Sequence, residues 1–304
     1  MKCLFQLITL MVLSCFFSCT SDKSQEKVQV LIVDGFSNHD WEKTTHLIQR
    51  LLQNEKDIDL TVSTIPMKES EAWKSWKPDF KKYTLVIQNT NDINNGSSWP
   101  LAAEKAFEKY MFEGGRMLVF HSANNAFPQW KAYNEMIGLG WRNKNFGKAI
   151  IVDGKQLTYI PKGEGENTGH GKRRDVLVHK FSSHPINRDY PQTWSAADLE
   201  VYRYARGPAK NLRVLSYGKD EKTGKDFPID WLVKYGEGEI YNSTYGHYWH
   251  GLKQDPAGVR CVAFQTSFIR ALRYLSNLEL KEIPKDFPDS DSVKLRSLDE
   301  LRKF

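Results

Sequence analysis

The chain has 304 residues, of which 40% are hydrophobic and 26% charged, and its formal net charge is +6. A chain of this length and composition can bury a full hydrophobic core, which excludes global disorder and any need for a disulfide or metal staple in folding. Apart from residues 172–174, the basic side chains are scattered. Because a nucleic-acid binder usually carries a basic stripe, we expect no nucleic-acid partner.

The first residues of the chain have the composition of a targeting segment. Lys2 is followed by a mostly apolar run over residues 4–17, which is too short to span a bilayer as a helix. A basic start and an apolar middle are typical of a secretory signal peptide. Ser18-Cys19 then resembles a bacterial lipoprotein cleavage site, which predicts lipidation of Cys19, with Cys15 or a plain signal peptide as alternatives. The protein is therefore expected in the bacterial cell envelope, in the periplasm or at the outer membrane, with a lipid anchor as its only membrane contact.

The next part of the chain alternates apolar runs with amphipathic stretches. Asp40 is placed to cap a helix, and Gly114-Gly115 is placed to end one. Predicted strands cover residues 28–33, 58–65, 83–88 and 116–120, and predicted helices cover 41–52 and a segment that begins at Pro100. Strands that alternate with helices through short loops predict an α/β fold with a parallel sheet.

The second half of the chain is less regular. Residues 138–210 are rich in glycine and charge and contain short β-like runs, which predicts a β-rich insertion. Three further strands and a closing helix are predicted over 211–217, 229–235, 239–244 and 258–278. The predicted organisation is a signal peptide over 1–19, a tether over 20–27, one domain over 28–278 and a charged tail over 279–304. We expect this proline-interrupted tail to pack loosely.

Polar residues gather where predicted strands end. In a parallel sheet, ligands bind beyond the carboxyl ends of the strands. The loops that start at Asp34, Asn89 and His121 follow three such strands, so we expect them to meet at one rim. His39 lies in the first of these loops, and His247 follows another predicted strand. The sequence therefore predicts a group of histidines at this rim.

The residue types at the rim suit two kinds of chemistry. Histidine, with an unperturbed pKa of about 6.5, serves as a general acid or base near neutral pH. Three histidines and a carboxylate can instead hold one divalent metal ion with an open position. Glu200 and Asp230 are the carboxylates that we expect to reach the rim. The spacing is dispersed, so the sequence leaves both roles open, and one divalent metal ion is the one cofactor that it suggests.

Aromatic residues fall in or beside the predicted loops, among them Trp41, Tyr202 and Trp249. Aromatic faces beside Asn and Asp side chains suit sugar rings, which present apolar C–H faces and polar edges. Packing in the core or at the rim is the alternative role. The sequence has no P-loop and no G-x-S-x-G elbow around Ser122, which argues against nucleotide binding and serine hydrolysis.

Several of these segments, in this order, resemble the ThuA-like (trehalose utilisation) family. The matching stretches are residues 28–41, 83–89, 106–123, 184–186, 200–202, 228–231 and 235–247. The resemblance implies a class I glutamine amidotransferase-like fold: a flavodoxin-like parallel sheet with helices on both faces, interrupted by the β-rich insertion. True amidotransferases carry a cysteine nucleophile where this chain has His121, which excludes thioester glutamine hydrolysis. The family often has an acidic pair before the tyrosine, whereas here Leu199 precedes Glu200, so one carboxylate for a metal is missing.

The resemblance also implies an activity. Family members are linked to disaccharides and to oxidoreductases that make 3-keto sugars, so we expect an enzyme that isomerises or cleaves keto-disaccharides or keto-glycosides. His121 and His247 would act as acid and base, while His39 and Glu200 would orient or ligate. The residues expected to shape a carbohydrate pocket are Asp34, Trp41, Asn89, Tyr202, Asp230 and Trp249. A non-catalytic carbohydrate-binding lipoprotein is the alternative, and the sequence leaves a homo-oligomer open.

Overall fold

The structure is a computed structural model that describes residues 26–93 and 98–300. The predicted signal peptide, both candidate lipidation sites (Cys15 and Cys19) and most of the predicted tether lie outside the described residues. Within the described ranges, no helix has the length and apolar character needed to cross a membrane.

The described residues form one sheet of twelve strands and six α-helices. The strands are β1 (Val28–Asp34), β2 (Ile58–Thr64), β3 (Leu85–Gln88), β4 (Arg116–Val119), β5 (Lys148–Asp153), β6 (Gln156–Ile160), β7 (Arg174–Lys180), β8 (Thr193–Leu199), β9 (Arg206–Gly207), β10 (Leu212–Lys219), β11 (Asp226–Tyr235) and β12 (Gly238–Ser243). The helices are α1 (Trp41–Leu52), α2 (Glu71–Ser75), α3 (Leu101–Phe112), α4 (Lys131–Ile137), α5 (Ala257–Arg260) and α6 (Val262–Leu275).

Five neighbouring strands of the sheet are parallel, in the order β2-β1-β3-β4-β12. This order is the 2-1-3-4-5 arrangement of flavodoxin-like folds, and it confirms the predicted fold class. Residues 30–33 of β1 are fully buried because helices cover both faces. Val30 and Ile32 pack in one core cluster with residues of α1 and α6, whereas Leu31 and Val33 pack in the other with residues of α3 and α4.

The predicted β-rich insertion extends the main sheet. Beyond β12 the strands continue as β11-β10-β7-β8, and each of these neighbours is antiparallel. Strand β5 pairs with β6 and β9 and meets β11 at one residue pair, Val152 with Asp226. The insertion therefore contributes β7 and β8 to the same sheet as the parallel strands, and their ends come close to the rim.

Local signals explain where the helices begin and end. The Asp40 side chain accepts a hydrogen bond from the backbone N–H of Lys43 at 3.1 Å, as predicted for the cap of α1. The single helix predicted over 258–278 is wrong in one respect, because it is divided into α5 and α6 at Cys261. Cys261 has extended backbone angles and forms a bridge with Leu295 of the C-terminal segment, which interrupts the helix.

The C-terminal segment packs more closely than we expected from its charge. Leu298 is fully buried, and Ile283, Phe287 and Val293 pack against the same core cluster as α6. The Nζ atom of Lys281 lies 2.5 Å from a carboxylate oxygen of Glu55, which is buried. Apolar residues spaced among the charged ones are the reason that this segment is held on the domain.

Candidate functional site

Three histidines meet at the carboxyl ends of the parallel strands. His39 lies in the loop after β1, His121 follows β4, and His247 lies in the loop after β12. Their ring centroids are 4.9–5.2 Å apart, and the rings are mutually edge to face. Each histidine has one ring nitrogen that lies within 4.8 Å of a ring nitrogen of both other histidines. We call these residues the histidine cluster, and all three are buried.

The carboxylate of Glu200, just after β8, lies against this cluster and is itself buried. Its Oε2 atom is 3.7 Å from Nε2 of His121, and its Oε1 atom is 3.6 Å from Nε2 of His247. A fourth histidine, His170, places its Nε2 atom 3.5 Å from Oε1. Three imidazoles therefore surround one carboxylate.

Hydrogen bonds fix the orientation of two of the rings. The Nδ1 atom of His121 lies 2.9 Å from the carbonyl oxygen of Thr244, and Nδ1 of His39 lies 3.0 Å from Oδ1 of Asn38. Because a carbonyl oxygen only accepts, Nδ1 carries the proton in each ring and Nε2 presents a lone pair. The Nε2 atom of His121 is buried and has no hydrogen-bond partner. His121 also has a positive φ of 38°, a strained conformation of the kind that concentrates at functional sites.

Burial keeps the histidine cluster uncharged. Desolvation, together with the positive charges of Arg173 and of the neighbouring histidines when protonated, lowers the pKa of His39 to about 2. Desolvation also lowers the pKa of His121, although the nearby Glu200 carboxylate opposes this, and it lowers the pKa of His247. All three imidazoles are therefore neutral near pH 7, which is the form that ligates metals and accepts protons.

Two aromatic residues predicted for the pocket line the cluster. The ring of Tyr202 is 6.0 Å from that of His121, and burial together with the nearby Glu200 carboxylate raises the pKa of the Tyr202 hydroxyl. The Trp249 ring stacks on His247 with centroids 5.9 Å apart and an interplanar angle of 11°. The Trp249 residue is 45% exposed, so it presents an open aromatic wall beside the cluster.

Three other predicted pocket residues lie behind the cluster. The Asp34 carboxylate accepts a hydrogen bond from the Thr45 hydroxyl at 2.6 Å. The Asn89 amide donates to the same hydroxyl at 3.2 Å and to the carbonyl oxygen of Trp41 at 3.1 Å. These contacts fix the first turns of α1, which follows His39 directly.

The structure places Asp230 outside the histidine cluster. Its carboxylate is buried within the sheet, where it accepts hydrogen bonds from Ser216 at 2.9 Å and Tyr241 at 3.3 Å. Asp230 pairs with Ser243, the last residue of β12, so it sits just below the rim. Desolvation there raises its pKa from an ordinary 3.8 to about 6.

Sequence reasoning missed two residues that come from the connection between β6 and β7, residues 161–173. The His170 ring lies between Trp141 and Tyr202, with centroids at 5.4 and 6.3 Å. The Arg173 guanidinium contacts both ring nitrogens of His247, with 3.0 Å to Nε2. The sequence signal for these residues was a histidine between two glycines, next to the one basic run of the chain. Because this histidine is far along the chain from the other cluster residues, the sequence did not indicate that it joins them.

Comparison with known proteins agrees with this architecture. The model of the ThuA family, described as trehalose utilisation, matches residues 29–262. A ThuA-like protein from Parabacteroides merdae is 26% identical, with a TM-score of 0.81 over 89% of this chain and 98% of its own. A ThuA-like protein from Bacteroides uniformis is 17% identical, with a TM-score of 0.52 over 83% of this chain and 92% of its own, and supports the fold alone. A search of curated proteins found no significant match.

Proposed function

The chain belongs to the ThuA family and is therefore related to carbohydrate utilisation; from this premise we propose that it is an enzyme acting on keto-disaccharides or keto-glycosides. We further propose that His39, His121 and His247 hold one divalent metal ion and that Glu200 takes part in proton transfer. A ketone acidifies the adjacent C–H bonds, so isomerisation and cleavage of the glycosidic bond can both begin with removal of such a proton.

The observation that carries the proposal is the facing pair of His121 Nε2 and Glu200 Oε2. Both atoms are hydrogen-bond acceptors, both residues are buried, and 3.7 Å separates the two atoms. Two acceptors in this arrangement repel each other unless a proton or a cation lies between them. The neutral imidazoles of the histidine cluster are the ligands that divalent transition metals prefer.

The three histidines are also close enough to share one ion. Ligand atoms bound at about 2.1 Å to a tetrahedral ion lie about 3.4 Å apart. One nitrogen from each of the three rings lies within 4.8 Å of the other two, so modest shifts of the rings would bring them to these separations. The hydrogen bonds of His121 to Thr244 and of His39 to Asn38 are of the kind that orients metal-bound histidines. Such an ion would polarise the ketone oxygen of the substrate as a Lewis acid.

The residues of the chain have separate tasks in this proposal. The Glu200 carboxylate accepts the proton that the ketone acidifies, and the buried Tyr202 side chain lies beside the carboxylate. The Trp249 ring offers its face to the sugar, because sugar C–H groups pack on aromatic rings. Asp34, Asn89 and Trp41 keep α1 and the preceding His39 loop in position.

A metal-free acid–base mechanism is the second candidate. It is favoured by the hydrogen bond to Thr244, which keeps the proton of His121 on Nδ1. The Nε2 atom of His121 is therefore free to accept a proton, and it lies next to the Glu200 carboxylate. In that mechanism His121 and His247 exchange the substrate proton, while His39 and Glu200 orient them. A non-catalytic carbohydrate-binding protein needs Trp249 and Tyr202 but not the neutral histidine cluster.

The experiment combines metal analysis with NMR. The metal content of the purified protein is measured, and 3-keto-glucosides are then followed in D₂O with and without a chelator. Deuterium uptake beside the ketone, an isomerised sugar or released aglycone shows an enzyme, and loss of this activity on chelation shows a metal. Activity that survives complete metal removal supports the acid–base mechanism. Sugar line broadening without any reaction overturns the enzyme proposal and leaves a binding protein.

Export and lipidation remain part of the proposal and rest on the N-terminal sequence. Mass spectrometry of the protein from bacterial membranes is expected to find the mature chain starting at a lipid-modified Cys19. A mature chain that starts at Cys15, or one without lipid, would correct the predicted site.

A further inference from the structure

One cation reaches the histidine cluster from the loop between β6 and β7. The Arg173 guanidinium contacts the His247 ring, and its side chain is 31% exposed. The Arg173 charge also contributes to the lowered pKa of His39, His121 and His247, which places it near all three rings. The Nη1 atom of Arg173 therefore meets an imidazole ring rather than a carboxylate.

The Arg173 side chain is held from behind by one carboxylate. The Asp198 Oδ1 atom lies 3.3 Å from Nε of Arg173. Asp198 has a positive φ of 48° and lies where the pairing of β7 with β8 is irregular. Bulges of this kind redirect side chains beside functional sites. The ion pair with Asp198 uses Nε of Arg173, and the terminal nitrogen Nη1 contacts the His247 ring. An imidazole ring is a much weaker hydrogen-bond partner for a guanidinium group than an anion is.

We propose that Arg173 is an anion-recognition residue beside the histidine cluster, and that the ligand presents a negatively charged oxygen to it. Arginine suits this task because its planar group donates two parallel hydrogen bonds to a carboxylate. The oxygen belongs either to a permanent carboxylate, as in a sugar acid, or to the enolate that forms from a keto sugar. Only the second source rests on the proposed function.

The binding test compares two sugars that differ at C6 alone, which is a carboxylate in one and a hydroxymethyl group in the other. Methyl β-D-glucuronide and methyl β-D-glucoside are titrated by calorimetry into the purified protein, into Arg173→Met and Arg173→Lys, and into the control Arg174→Met. Arg174 pairs with Glu221 and the carbonyl oxygen of Lys219, away from the cluster. For a permanent carboxylate, the protein is expected to prefer the glucuronide. Arg173→Met should lose about 10- to 100-fold in glucuronide affinity, whereas Arg174→Met should keep it.

The kinetic test addresses the other source of charge. If the two sugars bind equally well, a 3-keto-glucoside is assayed with the same variants. A fall in kcat for Arg173→Met with little change in KM, and partial recovery in Arg173→Lys, supports recognition of the enolate oxygen. A glucuronide preference that persists in Arg173→Met overturns the proposal. So does the absence of any effect of Arg173→Met on both binding and kcat.

The outcomes separate this inference from the proposed function. A glucuronide preference that depends on Arg173, in a protein that converts no keto sugar, supports the anion site and overturns the keto-sugar enzyme. Turnover of a keto sugar that is indifferent to Arg173, together with equal binding of both glycosides, supports the enzyme and overturns the anion site.

Discussion

The Nδ1 atom of His121 lies 2.9 Å from the carbonyl oxygen of Thr244, which is 123 residues later in the chain. This contact joins the ends of β4 and β12, which are neighbours in the parallel sheet. It sets the tautomer of His121 and turns its Nε2 lone pair towards Glu200. The chemistry of the histidine cluster therefore depends on a pairing of strands that are distant in sequence.

The histidine cluster is expected to fail as a unit. Each of the three alanine variants, His121→Ala, His39→Ala and His247→Ala, should reduce bound metal to less than a tenth of the original content. Each should also lower kcat/KM by at least about 100-fold, because the divalent ion loses one of its few ligands. His46→Ala, at an exposed position of α1, is the matched control and should retain both. Full activity in His121→Ala would contradict the proposed function.

Asn38 is expected to tune the cluster without touching the substrate. Asn38→Ala removes the acceptor that holds Nδ1 of His39, and loss of such a partner weakens metal binding by about 10- to 100-fold. Asn38→Asp keeps an oxygen acceptor and should retain most of the affinity. The measurement is competition with a fluorescent chelator. Equal affinities of the two variants would show that the hydrogen bond does not matter.

Trp249 is expected to act on sugar binding alone. Trp249→Ala should raise KM about 3- to 10-fold, because an aromatic contact contributes about 0.5–1.5 kcal/mol, while metal content stays unchanged. Trp249→Phe retains an aromatic face and should recover part of the loss. A fall in metal content in Trp249→Ala would instead assign the residue to supporting His247, on which it stacks.

Asp230 is expected to make stability depend on pH. Its pKa is raised by burial to about 6, so the folded protein keeps a proton that the unfolded chain loses from about pH 4 upwards. The stability that this proton provides is present below pH 4 and is lost as the pH rises through 6. Asp230→Asn should therefore be more stable than the original protein by about 3 kcal/mol at pH 7.5, with the difference shrinking towards pH 4.

Urea unfolding at a series of pH values measures this effect. Because Asn retains an oxygen to accept from Ser216, the comparison isolates the charge. A variant that is less stable by the same amount at every pH would show that the hydrogen bonds to the carboxylate outweigh the cost of its burial.

The C-terminal segment is expected to stabilise the domain by packing. Leu298→Ala should lower the free energy of unfolding by about 2–5 kcal/mol, because Leu298 is fully buried. Leu295→Ala is the matched control nearby, since Leu295 is 44% exposed, and it should cost well under half as much. Equal unfolding midpoints for the two variants would show that the C-terminal segment packs loosely and does not stabilise the domain.

Local sequence patterns determined the parallel core of this protein. The run over residues 28–33 is apolar at every position, which requires cover on both faces, and Asp40 caps the helix that follows. Polar loops after such strands place His39 and His121 at one rim, because all parallel strands end at the same edge. The presence of a histidine group was therefore predictable from the sequence.

Only the tertiary structure decided which side chains join that group. His170 and Arg173 come from the β6–β7 connection, and Glu200 follows β8, so their approach depends on how antiparallel strands extend the sheet. Asp230 was predicted to reach the rim but does not, since its strand pairing buries it below the rim. Periodicity reports which face of an element is buried, whereas long-range strand pairing sets the distances between loops, and a single sequence does not encode those pairings locally.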